Sequence, residues 1–408
     1  MIIEGSRVTV NRRENVRGQP MLTMVHNNPA RVGNGMLRVD RKFHVGMQNY
    51  AAHVQTPLTT IHPEMAPGQP IMDPIEVSCS ELSYRVITLK TDATWRLLPS
   101  ESLRLREEIS RSSLIYGSGL GSSKIARELG VPYILILEYD LQTKMVSETS
   151  EIKGIRRNLR RARCVWHHVT ENIPEIRRAH SLHCNGYPIY DATRRYNANS
   201  LLYFDSRMLT DMIISPEDLA RRLRTRTDRP FRMLFSGRYE RMKGTADAVR
   251  VAVECIRRGL NIEMDFYGQG NLRDEMINIA ARSLRPGRIR IHDPVPYNEL
   301  IEISKSFDLF ICCHIQSDPS CTYLESFGAG LPIVGYANRM WQRLSEASGA
   351  GFASPIGQPN RVADDVERLL SAPDLMSTMS EEARGFAARH CFELEAQKRI
   401  DALNIALS

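Results

Sequence analysis

The sequence contains no uninterrupted run of about 18 apolar residues, so it predicts no transmembrane helix. Residues 1–10 lack a cationic segment followed by an apolar stretch, and we therefore expect no secretory signal peptide. Motifs typical of DNA- or RNA-binding proteins are also missing. These absences favour a cytoplasmic protein that binds no nucleic acid and contacts a membrane, if at all, only peripherally.

Cysteine occurs eight times, but without a C-x-x-C pair or any other spacing typical of a zinc site. The neighbouring Cys312 and Cys313 lie in an apolar run, where two adjacent side chains would not easily serve one structural metal. We therefore expect buried free thiols, which indicate a reducing compartment.

The chain is long enough for two domains, because one hydrophobic core rarely grows beyond about 250–300 residues and this chain has 408. Hydrophobic residues make up 42% and charged residues 25%, as in ordinary globular proteins. The formal net charge of +7 suits phosphorylated small molecules or an anionic membrane surface as partners.

Strands alternate with helices along most of the chain, which predicts an α/β fold with parallel sheets. Residues 53–75 contain five prolines and predict mostly loop and short strand, whereas clear alternation begins near residue 78. A polar segment at 221–229 precedes a second α/β block, which reads as a doubly wound domain. We place the domains at residues 1–210 and 211–390, followed by a C-terminal helix at 391–408.

Residues 153–163 form a basic segment in which apolar residues recur every three to four positions, as in an amphipathic helix. Two interpretations remain open. The segment is either a solvated helix face or a surface for anionic lipid or a phosphate-bearing substrate.

A basic turn follows the first strand of the second half. Gly237-Arg238 ends this strand and Lys243-Gly244 opens the next helix. A helix N-terminus with an Arg and a Lys either binds a diphosphate or is simply a solvated basic turn. Gly268 and Gly270 follow the next strand and either admit a ligand close to the backbone or simply turn the chain.

A third motif follows the strand at 308–313, where a turn of small residues opens a helix. The free N–H groups of Ser320, Cys321 and Thr322 suit phosphate. Glu325 lies about one helical turn further on. It is placed either to bind the ribose diol of a nucleotide or to act as a helix-dipole or capping residue.

In this order the motifs resemble the donor domain of retaining glycosyltransferases of family 4, which have the GT-B fold. The resemblance covers residues 211–390 and implies two Rossmann-like, doubly wound domains facing a central cleft. It further implies a nucleotide-diphosphate-sugar donor, retention at the anomeric carbon and no required metal ion. The positions that match the family are the phosphate clamp (Gly237, Arg238, Lys243 and Gly244), the glycine turn (Gly268 and Gly270), the backbone contact to the base (Val295) and the end of the E-x7-E motif (Glu325 with Gly328, Gly330 and Pro332).

Two positions depart from the family pattern. The first Glu of E-x7-E is expected at position 317, where this chain has Ser317 followed by Asp318. Asp318 either positions the sugar or caps the helix. The family often places a His after the strand at 133–137, where this chain has Glu138-Tyr139-Asp140. Glu138 or Asp140 then orients the sugar or the acceptor hydroxyl, or serves only the structure.

The family's N-terminal glycine loop is expected at residues 42–47, where Lys42 would meet a phosphate and Gly46 would supply the turn. The resemblance implies transfer of a sugar to a hydroxyl of a saccharide or lipid-linked acceptor, in polysaccharide or glycolipid synthesis. Two alternatives on the same fold remain open: a sugar-phosphate synthase or phosphorylase, and a non-catalytic nucleotide-sugar-binding protein. A nucleotide-dependent oxidoreductase is disfavoured, because no G-x-G-x-x-G with a downstream acid lies in a first βαβ unit.

Overall fold

The computed structural model describes residues 20–408, apart from 67, 70, 72 and 151, so the expectation for residues 1–10 lies outside the described residues. Two parallel sheets, each flanked by helices, account for most of this part of the chain. The predicted pair of Rossmann-like domains, the GT-B arrangement, is confirmed.

The N-terminal sheet has seven parallel strands in the order β10-β9-β8-β7-β1-β4-β6 within the described residues. Its central strands are apolar and buried on both faces, as parallel sheets require. The strands are β1 (Leu22–Val25), β4 (Leu58–Pro63), β6 (Arg85–Leu89), β7 (Leu114–Tyr116), β8 (Tyr133–Leu137), β9 (Ser181–Asn185) and β10 (Ser200–Tyr203).

Helices connect these strands, and a small antiparallel sheet lies beside them. The helices are α1 (Arg41–His53), α2 (Pro99–Ser110), α3 (Ser122–Leu129), α4 (Leu141–Thr149), α5 (Gly154–His167), α6 (Ile173–Arg178) and α7 (Tyr187–Thr193). The small sheet joins β2 (Arg31–Gly33), β3 (Met36–Asp40) and β5 (Pro74–Ser78) in the order β2-β3-β5.

The strand β4 is a short strand within residues 53–75, where loop and short strand were expected. All six of its residues are buried, and it pairs with both β1 and β6. Its prolines are at the ends, with Pro57 just before the strand and Pro63 closing it. The Nδ1 atom of the buried His62 lies 3.0 Å from the Asn28 carbonyl oxygen, which gives one of its two ring nitrogens a partner.

The C-terminal sheet has six parallel strands in the order β13-β12-β11-β14-β15-β16 in the described chain. They are β11 (Phe231–Ser236), β12 (Ile262–Tyr267), β13 (Ile289–His292), β14 (Leu309–Cys312), β15 (Ile333–Tyr336) and β16 (Gly351–Ser354). Its helices are α8 (Pro216–Thr225), α9 (Thr245–Arg257), α10 (Arg273–Ala280), α11 (Tyr297–Ser304), α12 (Thr322–Gly328), α13 (Arg339–Ser348), α14 (Pro359–Leu370) and α15 (Pro373–Arg389).

The last helix, α16 (Phe392–Leu407), crosses back to the N-terminal sheet. Its Ile400 and Leu403 are fully buried in one core cluster with Met24 of β1 and Tyr50 of α1. The two sheets are separated by the segment between Tyr203 and Phe231. The boundary at residue 210 lies in this segment and stays a prediction.

All eight cysteines are free thiols, and seven of them are buried, including Cys312 and Cys313. Cys321 is half-buried. Across residues 20–408, apart from the four gaps, no helix is both long and apolar enough to cross a membrane.

Candidate functional site

The two domains touch at the carboxyl ends of their parallel sheets, where doubly wound folds bind ligands. Asp140, just after β8, forms an ion pair with Arg339 at the start of α13. Gly186, just after β9, packs so closely that an added Cβ would lie 3.1 Å from Pro319 and 3.0 Å from the sulfur of Met340. Pro319 lies in the chain between Asp318 and Ser320, two of the predicted C-terminal site residues.

Lys243 and Asp318 form the central ion pair of the site. The Lys243 ammonium lies 2.9 Å from Asp318 Oδ2, and the two side chains are 9% and 13% exposed. Burial alone would raise the pKa of Asp318, but the Lys243 charge outweighs it and lowers that pKa. Two residues predicted separately, one for diphosphate and one for sugar, are therefore in direct contact.

Asp318 does not cap α12, because the cap position is Cys321 and no side chain caps this helix. The other carboxylate oxygen of Asp318, Oδ1, is buried without a hydrogen-bond partner among the described residues. Buried acceptors are normally satisfied, so Oδ1 is available to a ligand hydroxyl. Ser317, where the family has Glu, accepts a hydrogen bond from the Arg339 backbone N–H at 3.1 Å.

Glu325 is held by an arginine from the interdomain segment. Arg207 Nη2 and Nε donate to Glu325 Oε1 at 2.8 and 3.1 Å. The guanidinium also lies 4.1 Å from the centre of the Tyr297 ring. The Tyr297 hydroxyl is buried and has no hydrogen-bond partner in the described chain. Two polar side chains, Arg207 and Tyr297, thus accompany the carboxylate predicted to bind ribose.

The turn at 320–322 is already partly bonded. The Ser320 N–H was predicted to be free for phosphate. It instead donates to the Asp318 carbonyl at 2.9 Å. Cys321 and Thr322 lie at the start of α12, where N–H groups have no intrahelical acceptor. The Cys321 thiol donates to the Asp205 carbonyl at 3.0 Å. Burial raises the pKa of this thiol to about 11.

Arg238 lies at the more open side of the site and is 59% exposed. It pairs with Glu240 at 2.9 Å. Tyr139 of the N-terminal domain lies within its electrostatic reach. Burial, Glu138 and Asp318 raise the pKa of Tyr139, and Arg238 opposes them. Arg238 is therefore exposed, paired with Glu240 and close enough to the N-terminal domain to influence Tyr139.

Gly268 and Gly270 allow two loops to pack closely against each other. A Cβ at Gly268, where φ is +155°, would lie 1.9 Å from the Gly237 carbonyl oxygen. A Cβ at Gly270 would lie 2.5 Å from the Tyr239 carbonyl oxygen. The glycine turn therefore packs the loop after β12 against the loop after β11, and ligand contact at Gly268 and Gly270 stays a prediction. Val295 is half-buried in the loop before α11.

On the N-terminal side, Lys42 and Gly46 lie inside α1, and no glycine loop forms at 42–47. Asp40 caps this helix by accepting from the Lys42 N–H, so the helix occupies the residues at which the glycine loop was expected. The Lys42 ammonium lies 2.5 Å from Asp205 and 3.5 Å from the Cys321 sulfur. Burial disfavours its charge, but Cys321 and Asp205 outweigh burial and raise its pKa. Lys42 is thus placed in the site although its local structure differs from the expectation.

The two candidate carboxylates after β8 have different roles. Asp140 caps α4 through the Thr143 N–H at 2.9 Å and pairs with Arg339, which makes it a structural residue. Glu138 is solvent exposed and makes no hydrogen bond or ion pair within the described residues. The protein atoms crowding around it and the Asp205 carboxylate raise its pKa. Of the two, Glu138 has a carboxylate that is free for a ligand.

Sequence reasoning missed Asp205, Arg207 and Tyr297. Asp205 and Arg207 follow the last N-terminal strand in a segment without a motif. Their partners lie far away in the chain, since 118 positions separate Arg207 from Glu325. The only local signal was the placement of charged residues near the domain boundary.

The family comparison agrees with this geometry. The family model described as glycosyl transferases group 1 matches residues 218–386. The matched segment is termed the group 1 domain here for its similarity to that family. The group 1 domain contains the Lys243–Asp318 pair, Arg238 and Glu325.

One curated protein is similar to part of the chain in sequence. Alpha-D-kanosaminyltransferase of Streptomyces kanamyceticus is 28% identical over 157 residues, which are 38% of this chain and 40% of that relative. The match thus spans about two fifths of the relative's length.

Solved structures match nearly the whole chain. Anabaena HepE in complex with UDP and glucose aligns with TM-score 0.64 and 12% identity, over 95% of this chain and 100% of that one. Sucrose-phosphate synthase of Thermosynechococcus elongatus aligns with TM-score 0.63 and 15% identity, over 96% and 100%. Likeness at this identity establishes the two-domain GT-B fold, and nothing about substrates.

Proposed function

We propose that the protein is a retaining glycosyltransferase that moves a sugar from a nucleotide-diphosphate-sugar to a hydroxyl of a saccharide or lipid-linked acceptor. The observation that carries this proposal is the buried Lys243–Asp318 pair in the group 1 domain. It lies at the carboxyl edge of the sheet, opposite the N-terminal domain. Further support comes from the kanosaminyltransferase relative and from the UDP and glucose bound by HepE.

In this proposal, cations and helix amides stabilise the departing diphosphate. Arg238, Lys243 and the N–H groups of Cys321 and Thr322 supply the positive potential. Charge develops on the leaving group in the transition state, so donors fixed in advance favour that state over the ground state. The buried position of Lys243 strengthens this effect, because few water molecules screen it.

The proposed donor orientation uses the two carboxylates of the group 1 domain. Glu325 would accept hydrogen bonds from the ribose hydroxyls, in competition with Arg207. Asp318 would accept a hydrogen bond from a sugar hydroxyl at its free Oδ1. Val295 would contact the base through its backbone, and the buried hydroxyl of Tyr297 is a further polar partner for the nucleoside.

The acceptor hydroxyl would approach from the N-terminal domain, where Glu138 offers a free carboxylate to orient it. Contact between the domains would exclude water and limit donor hydrolysis. Same-face attack by the acceptor would retain the anomeric configuration without a protein nucleophile. No metal ion enters this scheme, and independence from metal stays a prediction.

The proposal is tested by measuring nucleotide release and sugar transfer from a panel of nucleotide-hexoses. The paired Arg238→Ala/Lys243→Ala variant should lose turnover by orders of magnitude. Arg241→Ala is the matched control, because it removes an exposed positive charge from the same turn. Near-normal turnover in the paired variant would refute the diphosphate site. Donor binding without any turnover in the unaltered protein would favour the non-catalytic alternative.

A membrane contact through residues 153–163 is a second part of the proposal. Ile155, Leu159 and Trp166 of α5 are 75%, 65% and 70% exposed, whereas Cys164 on the opposite face is buried. The helix therefore turns its apolar stripe towards solvent. Arginines flank the stripe at positions 156, 160, 161 and 163. An apolar stripe between cations suits the surface of an anionic bilayer.

Co-sedimentation with vesicles tests this contact. Binding should require anionic lipid and should weaken with salt. The Leu159→Ser/Trp166→Ser variant should lose binding while its unfolding free energy stays nearly unchanged. Ile405→Ser is the control, because Ile405 is 76% exposed on another helix. Equal binding to neutral and anionic vesicles would contradict the proposal.

A further inference from the structure

A cavity of about 660 Å³ opens in the N-terminal domain, outside the site described above. It lies at the carboxyl ends of β1, β4 and β7, where Asn27, Pro63 and Ser118 contribute to its walls. This is the same edge of the sheet that carries Glu138 after β8. Its volume is within the range of about 300–1,000 Å³ that is usual for small-molecule sites.

One wall is the Trp95 side chain, which is 50% exposed. Trp95 is at the tip of a turn with φ of +63°, a conformation that non-glycine residues rarely adopt. Asp92 fixes this turn by accepting from the Thr94 N–H at 2.8 Å and the Arg96 N–H at 3.0 Å. The turn therefore fixes the backbone of Trp95 and leaves its ring at the rim, without packing it into a core.

The opposite wall is the glycine-rich turn between β7 and α3. Leu120 lines the cavity with φ of +55°, and its N–H donates to Asn27 Oδ1 at 3.3 Å. The turn lies tight on β1, since a Cβ at Gly119 would be 2.5 Å from the His26 carbonyl. The Ser122 hydroxyl next to this wall is fully buried and has no partner in the described chain.

The lining combines an aromatic face, hydroxyl and amide groups, and one cation. The polar groups come from Asn27, Ser102 and Ser118, and the cation is Arg96. A sugar ring has an apolar face that packs on an aromatic ring and a hydroxyl-rich edge that needs hydrogen bonds. An arginine adds a two-pronged donor for a phosphate or carboxylate group.

We propose that this cavity is the acceptor site and that it binds a saccharide carrying an anionic group, with the sugar ring stacked on Trp95 and the anion near Arg96. This inference rests on the proposed function, because a glycosyltransferase needs an acceptor site in addition to its donor site. It assigns specificity for the acceptor to Trp95 and Arg96, neither of which belongs to the donor site.

The test measures binding of hexose 1- and 6-phosphates, the corresponding neutral hexoses and inorganic phosphate to the full-length protein by calorimetry. Sugar phosphates should bind at least tenfold more tightly than neutral hexoses or phosphate alone. Trp95→Ala should weaken sugar-phosphate binding at least tenfold, and Trp95→Phe should recover part of it. Arg96→Gln should remove the preference for the phosphorylated sugar. Leu103→Ala, on the adjacent helix and 71% exposed, is the control.

Each variant is also titrated with UDP, GDP and ADP. Unchanged nucleotide binding in Trp95→Ala, together with lost sugar binding, supports a separate acceptor site. Failure of every sugar to bind, or equal binding by Trp95→Ala, overturns the inference while nucleotide binding keeps the proposed function standing. Tighter binding of neutral hexoses than of sugar phosphates overturns the role of Arg96. If the unaltered protein binds no nucleotide, the proposed function itself is contradicted.

Discussion

The charges of Lys243 and Asp318 stabilise each other, because both side chains are largely buried and they form an ion pair. Removing one member of such a pair leaves an uncompensated charge, whereas replacing both with apolar side chains is often tolerated. Stability and catalysis can therefore be separated at this pair.

Lys243→Met should destabilise the protein by about 3–5 kcal/mol, because Asp318 then stays buried without its partner. Lys243→Met/Asp318→Leu should regain most of that free energy of unfolding and none of the turnover. Urea unfolding and sugar transfer measure the two effects. Turnover retained by the double variant would make the pair purely structural.

Glu325→Gln should weaken nucleotide binding by about 1.5–3 kcal/mol, the usual value of hydrogen bonds to a charged group. The loss should vanish when the probe is the 2′,3′-dideoxy form of the same nucleotide, which has no ribose hydroxyls to donate. Titration calorimetry gives both values. An equal loss with both nucleotides would place Glu325 away from the ribose.

At the residue scale, the sequence predicts side chains that share a local motif. Arg238, Lys243 and Glu325 follow strands of one sheet, so their shared edge follows from the α/β pattern alone. Arg207 and Asp205 join the site from another segment, and no local pattern fixes such a contact. The ion pair between Asp140 and Arg339 could not be predicted from the sequence either, because it depends on how the two domains meet.

At the scale of elements, periodicity located the strongly apolar strands but not β4. Its sequence mixes two adjacent threonines and a histidine with apolar residues, and two prolines mark its ends. Burial of these polar residues depends on neighbours in the sheet, which a single segment does not reveal. The glycine loop expected at residues 42–47 is part of α1, because the Asp40 cap precedes the glycine that suggested a loop.

Leu403→Ala in α16 should lower the free energy of unfolding by about 2–5 kcal/mol, because it leaves a cavity in the N-terminal core. Ile405→Ala, two positions further along the same helix, should change it by less than about 0.5 kcal/mol, because its side chain is mostly in solvent. Urea denaturation monitored by circular dichroism compares them. Equal effects would mean that α16 does not dock as described.

At the scale of the whole molecule, buried histidines make stability depend on pH. Burial lowers the pKa of His62 to about 4, and that of His183 and His314 to about 3. The unfolded chain binds protons at these sites below its ordinary pKa of about 6.5, and the folded chain does not. Stability should therefore fall as pH drops from about 6.5 towards 4.

Each of these histidines should contribute about 1.4 kcal/mol per pH unit in that window. Urea unfolding at a series of pH values measures the slope. His183→Gln should reduce it by that amount, since one titrating group is gone. A slope unchanged by this substitution would mean that His183 is protonated in the folded protein.

The central claim is that the group 1 domain binds a nucleotide-diphosphate-sugar at Arg238 and Lys243. It is tested most directly by thermal unfolding with UDP, GDP, ADP and their common sugar conjugates. A ligand bound only by the folded state at a hundred times its Kd adds about 2.7 kcal/mol of stability. We predict that nucleotides of one base raise Tm and that Arg238→Ala/Lys243→Ala abolishes the shift. No shift with any nucleotide at millimolar concentration would contradict the claim.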